Sequence, residues 1–315
     1  MINLRDWGTE TLNESYTAEE AAKKLKISKL TVYELIKRGE LPSYRIGRQV
    51  RIDVEDLQKY IEQSKTGSLK NSAQLSEKHN LTNAIVISGQ DMALDILGKY
   101  MESSMGKRML RAYDGSLTSL IRLYKGEGSI VSLHLFDGDT KEYNIPYTKR
   151  ILTNSQYIIF NLLLRNVGFY VQKGNPKNIK TWEDLCREDV KIVNREVGAG
   201  IRVLLDEQLR IHNIHRTKIK GYDYEESSHF SIATSVAMNK ADVGIGIENV
   251  ANITKVEFVP LIKEQYDLII LKNENTVKII NEIKEILHST DFKQELESIG
   301  GYDLTLTGNT IYESF

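Results

Sequence analysis

The chain has 315 residues, of which 41% are apolar and 27% charged, and a formal net charge of −1. That length favours two or three folding units over one, and near-neutrality excludes a generally polycationic protein, so any nucleic-acid contact has to be local. A single cysteine, Cys186, excludes an internal disulfide framework and fits a reducing compartment.

Cys186 has no Cys or His at ligand spacing and reads as a small buried residue, so no metal site is expected. The opening MINLRDWGTETLNES lacks an apolar core of signal-peptide length and reads as a loose polar arm. No run is long enough to span a membrane; the densest, around 158–164, is broken by Asn161. A cytoplasmic protein with no membrane partner is expected.

From Tyr16 the pattern sharpens. Thr17 stands three residues before Glu20, the spacing of a capping box, and Ala21, Ala22 and Leu25 follow at helical intervals. Ser28 reads as a second N-cap, Val32, Leu35 and Ile36 as the apolar stripe of a second helix, and Gly39 as its C′ residue. Lys26-Ile27 is the turn between them, which makes a helix-turn-helix. Tyr44 to Ile52 then reads as a hairpin turning near Gly47-Arg48, with Tyr44, Ile46, Val50 and Ile52 facing inward. Asp53 is the expected N-cap of a closing helix carrying Val54, Leu57, Tyr60 and Ile61.

Charge is concentrated in the same stretch. Between Lys23 and Arg51 lie nine basic residues and only two acids, Glu34 and Glu40, a local net of +7. A basic surface confined to one small module is the footprint of a phosphate-backbone contact. The segments YTAEEAAKKLKIS, TVYELIKRGELPSYRIGRQVRI and DVEDLQKYI resemble the excisionase-like, MerR-related winged helix-turn-helix family. In that family the second helix enters the major groove and the wing touches the backbone or minor groove. The resemblance implies double-stranded DNA as partner, with Lys29, Thr31, Tyr33, Lys37 and Arg38 as helix candidates and Arg45, Arg48 and Arg51 as wing candidates. Residues 1–63 are accordingly expected to form a DNA-binding domain.

Residues 64–80 are rich in Ser, Lys and Asn and read as a linker; the alternative is an extension of the closing helix that pairs with a second chain. Over residues 81–315 short apolar strands alternate with helical patterns, which predicts an α/β class with parallel sheet. Strands are expected at 84–87, 130–136, 168–171, 190–193, 243–245 and 266–270. Helices are expected from Met92, from Leu117, over 201–209 and 231–238, and at 277–287 and 292–299. Neither a Walker phosphate loop nor a dinucleotide G-x-G-x-x-G is present. Two small α/β lobes with a cleft between them suit this length better than one large sheet.

In such sheets ligands bind beyond the carboxyl ends of the strands. Small and polar residues recur there, often just before helices: Ser88, Gln90 and Asp91; Ser116; His134; Arg195; Gly198, Gly200 and Arg202; Ser228 and His229. Helix N-termini offer unpaired N–H groups and a positive dipole end, so several converging on one cleft would grip a small anion. Singly, each is explained by capping, core packing or a surface ion pair; the repetition at strand ends is the signal.

The order of these pieces resembles the type II periplasmic-binding-protein-like domain found behind helix-turn-helix modules and related to molybdate-binding proteins. The resemblance is carried by SGQDMALDIL, DGSLTSLIRLYKGEGSIVSLHLFDGDTKEYN, QKGNPKNI, VNREVGAGIRVLLD, SSHFSIATSVAMNKADVGIGIE, FVPLIKEQYDLII and IGGYDLTLTG. It implies two lobes joined by crossing strands, placed here near 160–169 and 259–267, and a molybdate- or tungstate-type oxyanion in the cleft. One departure stands out. The family's Gly-Ser-Gly-Thr-Arg is here Gly198-Ala199-Gly200-Ile201-Arg202, without the two hydroxyls.

A ligand-responsive transcriptional regulator follows, expected as a homodimer because one small module buries too little DNA for tight specific binding. A DNA-architectural or recombination accessory protein and a sensor of a small organic acid are the alternatives. An enzyme is not expected: Asp137, Asp139 and Glu142 near His134 are the only acid–base candidates, and a polar turn explains them better.

Overall fold

A computed structural model describes residues 15–47, 49–65 and 84–314. Arg48, the expected arm before Ser15 and the expected linker beyond Lys65 lie outside the described residues. The chain divides into two compact units, Met1–Thr82 and Asn83–Phe315.

The first unit runs β1 (Ser15–Thr17), α1 (Ala18–Leu25), α2 (Lys29–Lys37), β2 (Tyr44–Ile46), β3 (Gln49–Asp53) and α3 (Val54–Lys65). The capping box forms: the Thr17 N–H donates to Glu20 Oε2 at 2.8 Å and the Glu20 N–H to Thr17 Oγ1 at 3.3 Å. Ser28 caps α2 by accepting from the Thr31 N–H at 3.0 Å. Gly39, at φ +72°, ends α2 in the left-handed region where a Cβ would be strained. Ala21, Val32, Leu35, Leu41, Ile52 and Leu57 make the core.

Ser15 to Thr17 also form a strand, so the sheet is antiparallel in the order β1-β3-β2. The hairpin departs from expectation here. Ile52 is fully buried, but Tyr44 and Ile46 are 41% and 61% exposed and Val50 is only half-buried. Strand β2 is a sheet edge, and the helical core is reached by the central β3 through Ile52 and by β1 through Tyr16.

The second unit opens with β4 (Ile85–Ser88), α4 (Ala93–Met105), β5 (Met109–Ala112), α5 (Ser116–Tyr124) and β6 (Ile130–Leu133). It continues through β7 (Phe136–Asp137), β8 (Glu142–Tyr143), α6 (Ile145–Ile151) and the long β9 (Tyr157–Val171). Then come β10 (Ile192–Arg195), α7 (Gly200–Ile211), β11 (Glu225–Glu226), α8 (His229–Ala237), β12 (Val243–Ile247) and α9 (Glu248–Thr254). The second long strand, β13 (Glu257–Leu271), is followed by α10 (Val277–His288), α11 (Thr290–Ile299), β14 (Tyr302–Asp303) and β15 (Thr310–Glu313).

One sheet runs β11-β10-β12-β9-β13-β6-β4-β5, with β14 and β15 also pairing to β9. The strands flanking the centre pair in parallel, as the alternating pattern predicts. The sheet as a whole is mixed, because β9 and β13 run antiparallel to each other and to their neighbours. These two 15-residue strands are the crossings between lobes. Each serves two cores. Phe160, Leu162, Tyr266 and Leu268 pack with Ile87, Leu97 and Phe292 in the first lobe. Val167, Phe169, Val259 and Leu261 pack with Ile192, Leu204 and Val243 in the second. Cys186 is half-buried against this second core rather than fully buried.

The expected strand over 130–136 is interrupted, and the interruption matters. Asn144, at φ +62°, accepts from the Leu135 N–H through Oδ1 at 2.7 Å. It donates through Nδ2 to the Leu133 carbonyl at 3.1 Å and to Asp267 Oδ2 at 2.8 Å. The residue between those two clamped positions is His134. Asp267 is fully buried; burial pushes its carboxyl up to about 6, while amides from Asn144, Asn161 and Gln265 hold it down. Asn144→Ala strips partners from two backbone groups and from Asp267. It is expected to cost on the order of 3 kcal/mol, read by chemical denaturation of the full chain.

Candidate functional site

Within the long apolar run of β9 stands one cation. Arg165 is 3% exposed and sits where the strand passes from one core to the other. A charge there is tolerated only when paired and hydrogen-bonded. Its Nη1 donates to Asp91 Oδ2 at 2.5 Å, and its Nε and Nη2 donate to Glu264 Oε1 at 2.9 and 2.6 Å. The guanidinium also stacks 4.3 Å from the Tyr266 ring centroid. Burial works against the charge, but Glu264 and then Asp91 outweigh it and hold the pKa above its ordinary value. Asp91 is fixed in turn by the Ala93 N–H at 2.8 Å and the Tyr302 hydroxyl at 2.7 Å.

Glu264 extends the network into the cleft. It is buried, which would raise its pKa, yet Arg165 and then His134 keep it below the ordinary carboxylate value. Its Oε2 accepts from His134 Nδ1 at 2.9 Å. Burial pulls the His134 pKa below its usual value; Glu264 opposes this, and Arg165 and Arg195 reinforce it.

These groups border one pocket, with about 310 Å³ of empty space, part of it open to solvent. Its walls combine Gly89, Gln90, Asp114, Gly115, Ser116, Ser132, His134 and Tyr266 with Arg165, Arg195, Ala199, Gly200 and His229. Three helices begin at it: α5 after Gly115, α7 after Ala199 and α8 after Ser228. Neither Gly115 nor Ala199 offers a side-chain cap, so the first N–H groups of α7, and those of α5 apart from Leu117, are available to a ligand. The two starts are in contact. The Leu117 N–H donates to the Gly198 carbonyl at 3.0 Å, and a Cβ on Gly115 would lie 2.9 Å from that same oxygen. At Gly200 a Cβ would fall 2.5 Å from the His134 ring, so the imidazole lies directly on the start of α7. Arg195 bridges the cleft, donating to Gln90 Oε1 at 2.8 Å and to both Glu196 carboxylate oxygens at 2.7 Å.

Of the residues expected at strand ends, Gln90, Ser116, His134, Arg195, Gly200 and His229 line the pocket. Ser88, Asp91, Gly198, Arg202 and Ser228 stand behind it. The Ser88 carbonyl takes the Ser132 hydroxyl, Asp91 neutralises Arg165, and the Gly198 carbonyl takes Leu117. Ser228 caps α8. Arg202 braces the Arg195 carbonyl at 2.9 Å, pairs with Glu225 at 3.0 Å and stacks on Tyr222. The two lost hydroxyls differ in weight: Ile201 is buried in the second lobe's core, whereas Ala199 faces the pocket. Arg165, Tyr266 and Ser132 were not anticipated. A lone Arg inside IIFNLLLRNVGFYV was the available signal for the first. Asp137, with Asp139 and Glu142, belongs to the β7–β8 turn, where Asp137 Oδ1 accepts from the N–H groups of Asp139 and Thr140. Among the described residues no three His, Cys, Asp or Glu side chains converge to hold a metal, and no helix is long and apolar enough to cross a membrane.

In the first unit, Lys29, Tyr33 and Lys37 are exposed on α2, Arg38 is exposed at its C-cap, and Arg45 is exposed on β2. Lys29 lies 3.6 Å from Glu19, and Arg38 lies 3.7 Å from Glu40. Thr31 is half-buried with its hydroxyl 2.8 Å from Ser28 Oγ, and Arg51 is half-buried and donates to Gln49. Leu30 is 70% exposed beside them.

Two lobes on shared strands around a polar cleft define a binding protein of the periplasmic type. The comparisons agree: residues 97–288 match the family model described as PBP superfamily domain, and residues 15–65 match the one described as helix-turn-helix domain. The chain belongs to the PBP superfamily and carries an N-terminal helix-turn-helix domain. YvgK of Bacillus subtilis (strain 168), itself described as uncharacterized, is 47% identical over 306 residues, covering 95% of this chain and 98% of that protein. Among solved structures, the ancestral amino acid-binding protein AncCDT-1 aligns with a TM-score of 0.50 and 15% identity, over 71% of this chain and 98% of that one. The sulfate-binding protein SubI of Mycobacterium tuberculosis H37Rv aligns with a TM-score of 0.50 and 14% identity, over 70% of this chain and 85% of that one. At such identities the structural likeness speaks for the fold alone.

The Arg165 cluster yields a direct test. Arg165→Met leaves the buried Asp91 and Glu264 carboxylates without their cation. The expected loss is about 3–5 kcal/mol of stability, measured by chemical denaturation.

Proposed function

We propose that this chain is a ligand-responsive transcriptional regulator that acts by binding rather than catalysis. In this reading the helix-turn-helix unit holds an operator in double-stranded DNA, and the PBP-like unit takes a small anion. The ligand proposed is a molybdate- or tungstate-type oxyanion. The observation that carries it is the convergence of Arg195, His134, His229, the Ser116 hydroxyl and three helix starts on one small cleft. Donors directed from several sides suit a compact tetrahedral anion better than an extended ligand. Closure around the anion alters operator binding by a cytoplasmic homodimer, to the extent that the two lobe arrangements differ in ligand affinity.

Thermal melting of the full chain against molybdate, tungstate, sulfate, phosphate and small carboxylates tests the ligand. At a hundred times its Kd an anion adds about 2.7 kcal/mol, a rise of roughly 5 °C or more for a unit this size. A response confined to molybdate and tungstate supports the oxyanion. A flat response to both overturns it, and a shift with a carboxylate alone moves the site to organic acids.

The DNA half has its own test. Lys37→Ala and Arg45→Ala should each weaken binding to all sequences alike. Each should reduce the slope of log K against log salt by about 1, read by fluorescence anisotropy. Slopes unchanged in both variants would remove these two residues from the phosphate contact.

A further inference from the structure

The pocket holds two histidines, and their surroundings give them different duties. The Glu264 carboxylate is ionised beside Arg165 and has no proton to give, so His134 Nδ1 must be the donor in their 2.9 Å contact. A neutral His134 then carries a lone pair, not a proton, on Nε2. His229 is 7% exposed and lines the same pocket, and its Nδ1 is buried without a hydrogen-bond partner among the described residues.

The Ser132 and Tyr266 hydroxyls do not supply the missing proton. Ser132 donates to the Ser88 carbonyl at 3.1 Å, which leaves Tyr266 as the donor in their 2.6 Å contact. A fully ionised oxyanion entering this pocket would therefore meet a lone pair on His134 unless the ring takes up a proton.

We propose that the site binds its oxyanion together with one proton, taken up on His134 Nε2, while His229 stays neutral and donates a single N–H. This deepens the reading of the cleft as an oxyanion site and rests on it. The assignment follows from the charged groups facing each ring. His134 faces Glu264 on β13 through Nδ1, Tyr266 on the same strand, Arg165 on β9, Arg195 on β10 and His229 on α8. Glu264 can share the charge of an imidazolium at His134, and an anion on its other side would complete the compensation. His229 faces Arg195, Arg165 and His134, with no carboxylate among them, and burial and those cations depress its pKa well below the usual value.

The sign follows by linkage. With the cleft empty, His134 titrates below its ordinary value; with an anion bound, it titrates higher. Between the two values binding takes up a proton, so affinity falls as pH rises, by at most about tenfold per pH unit.

The experiment is calorimetric titration of the full-length protein with tungstate from about pH 6.5 to about pH 8.5. At each pH it is run in a sulfonic-acid buffer and again in Tris, whose different ionisation enthalpies count the protons. The expected result is an uptake approaching one proton per tungstate and a Kd that weakens as pH rises. His134→Gln should flatten the pH dependence and abolish the uptake. His229→Gln should weaken binding while retaining both. The wild-type proton count stands even if a variant fails to fold. Binding with no proton uptake and a flat Kd overturns the linkage and leaves the oxyanion site intact. Absence of tungstate binding at every pH overturns both.

Discussion

A buried guanidinium organises the PBP-like unit. Arg165 sits on a strand shared by two hydrophobic cores, and it is charge-compensated by one carboxylate from the loop after β4 and another from β13. Each partner is held from a further element: Asp91 by Tyr302, and Glu264 by His134. Five segments far apart in sequence are thereby committed to a single geometry. The cluster adds little as a source of net stability, since desolvation offsets most of the Coulomb attraction of a buried pair. Its value is in specifying one arrangement, with the pocket wall built on its outer side.

Much of this was legible in the sequence. Capping residues announced themselves because they act locally: Thr17, Ser28 and Gly39 perform the roles their spacing assigned. The strand-to-helix transitions that carry Gln90, Ser116, Arg195, Gly200 and His229 were readable for the same reason. What escaped was non-local. Arg165 and Tyr266 reach the pocket because two long strands pair along their length, with register shifts after Pro260 and Tyr266, and periodicity cannot show pairing. The mixed sheet was hidden likewise, since strand direction is decided by connections rather than by composition.

Two misreadings share one cause. Tyr44 and Ile46 alternate like core residues, yet they lie on an edge strand and are exposed. The run 130–136 is apolar enough for one strand, yet Asn144 splits it and turns His134 toward the cleft. In both, a side chain's environment was set by something beyond its own segment.

The return of β14 and β15 onto β9 carries a consequence for the order of assembly. Thr310 pairs with Phe160, the Asn161 N–H is satisfied by the Asn309 carbonyl, and Ile130 waits for Ile270. Pairings of such long sequence separation close slowly, because large loops must be ordered before any contact repays them. The helix-turn-helix unit closes shorter loops, its widest described strand pairing being Ser15 with Asp53. During synthesis the helix-turn-helix unit can be complete while the PBP-like unit still has an unfinished sheet with exposed strand edges. That interval, rather than the folded state, is where this chain is most open to chaperones and to aggregation.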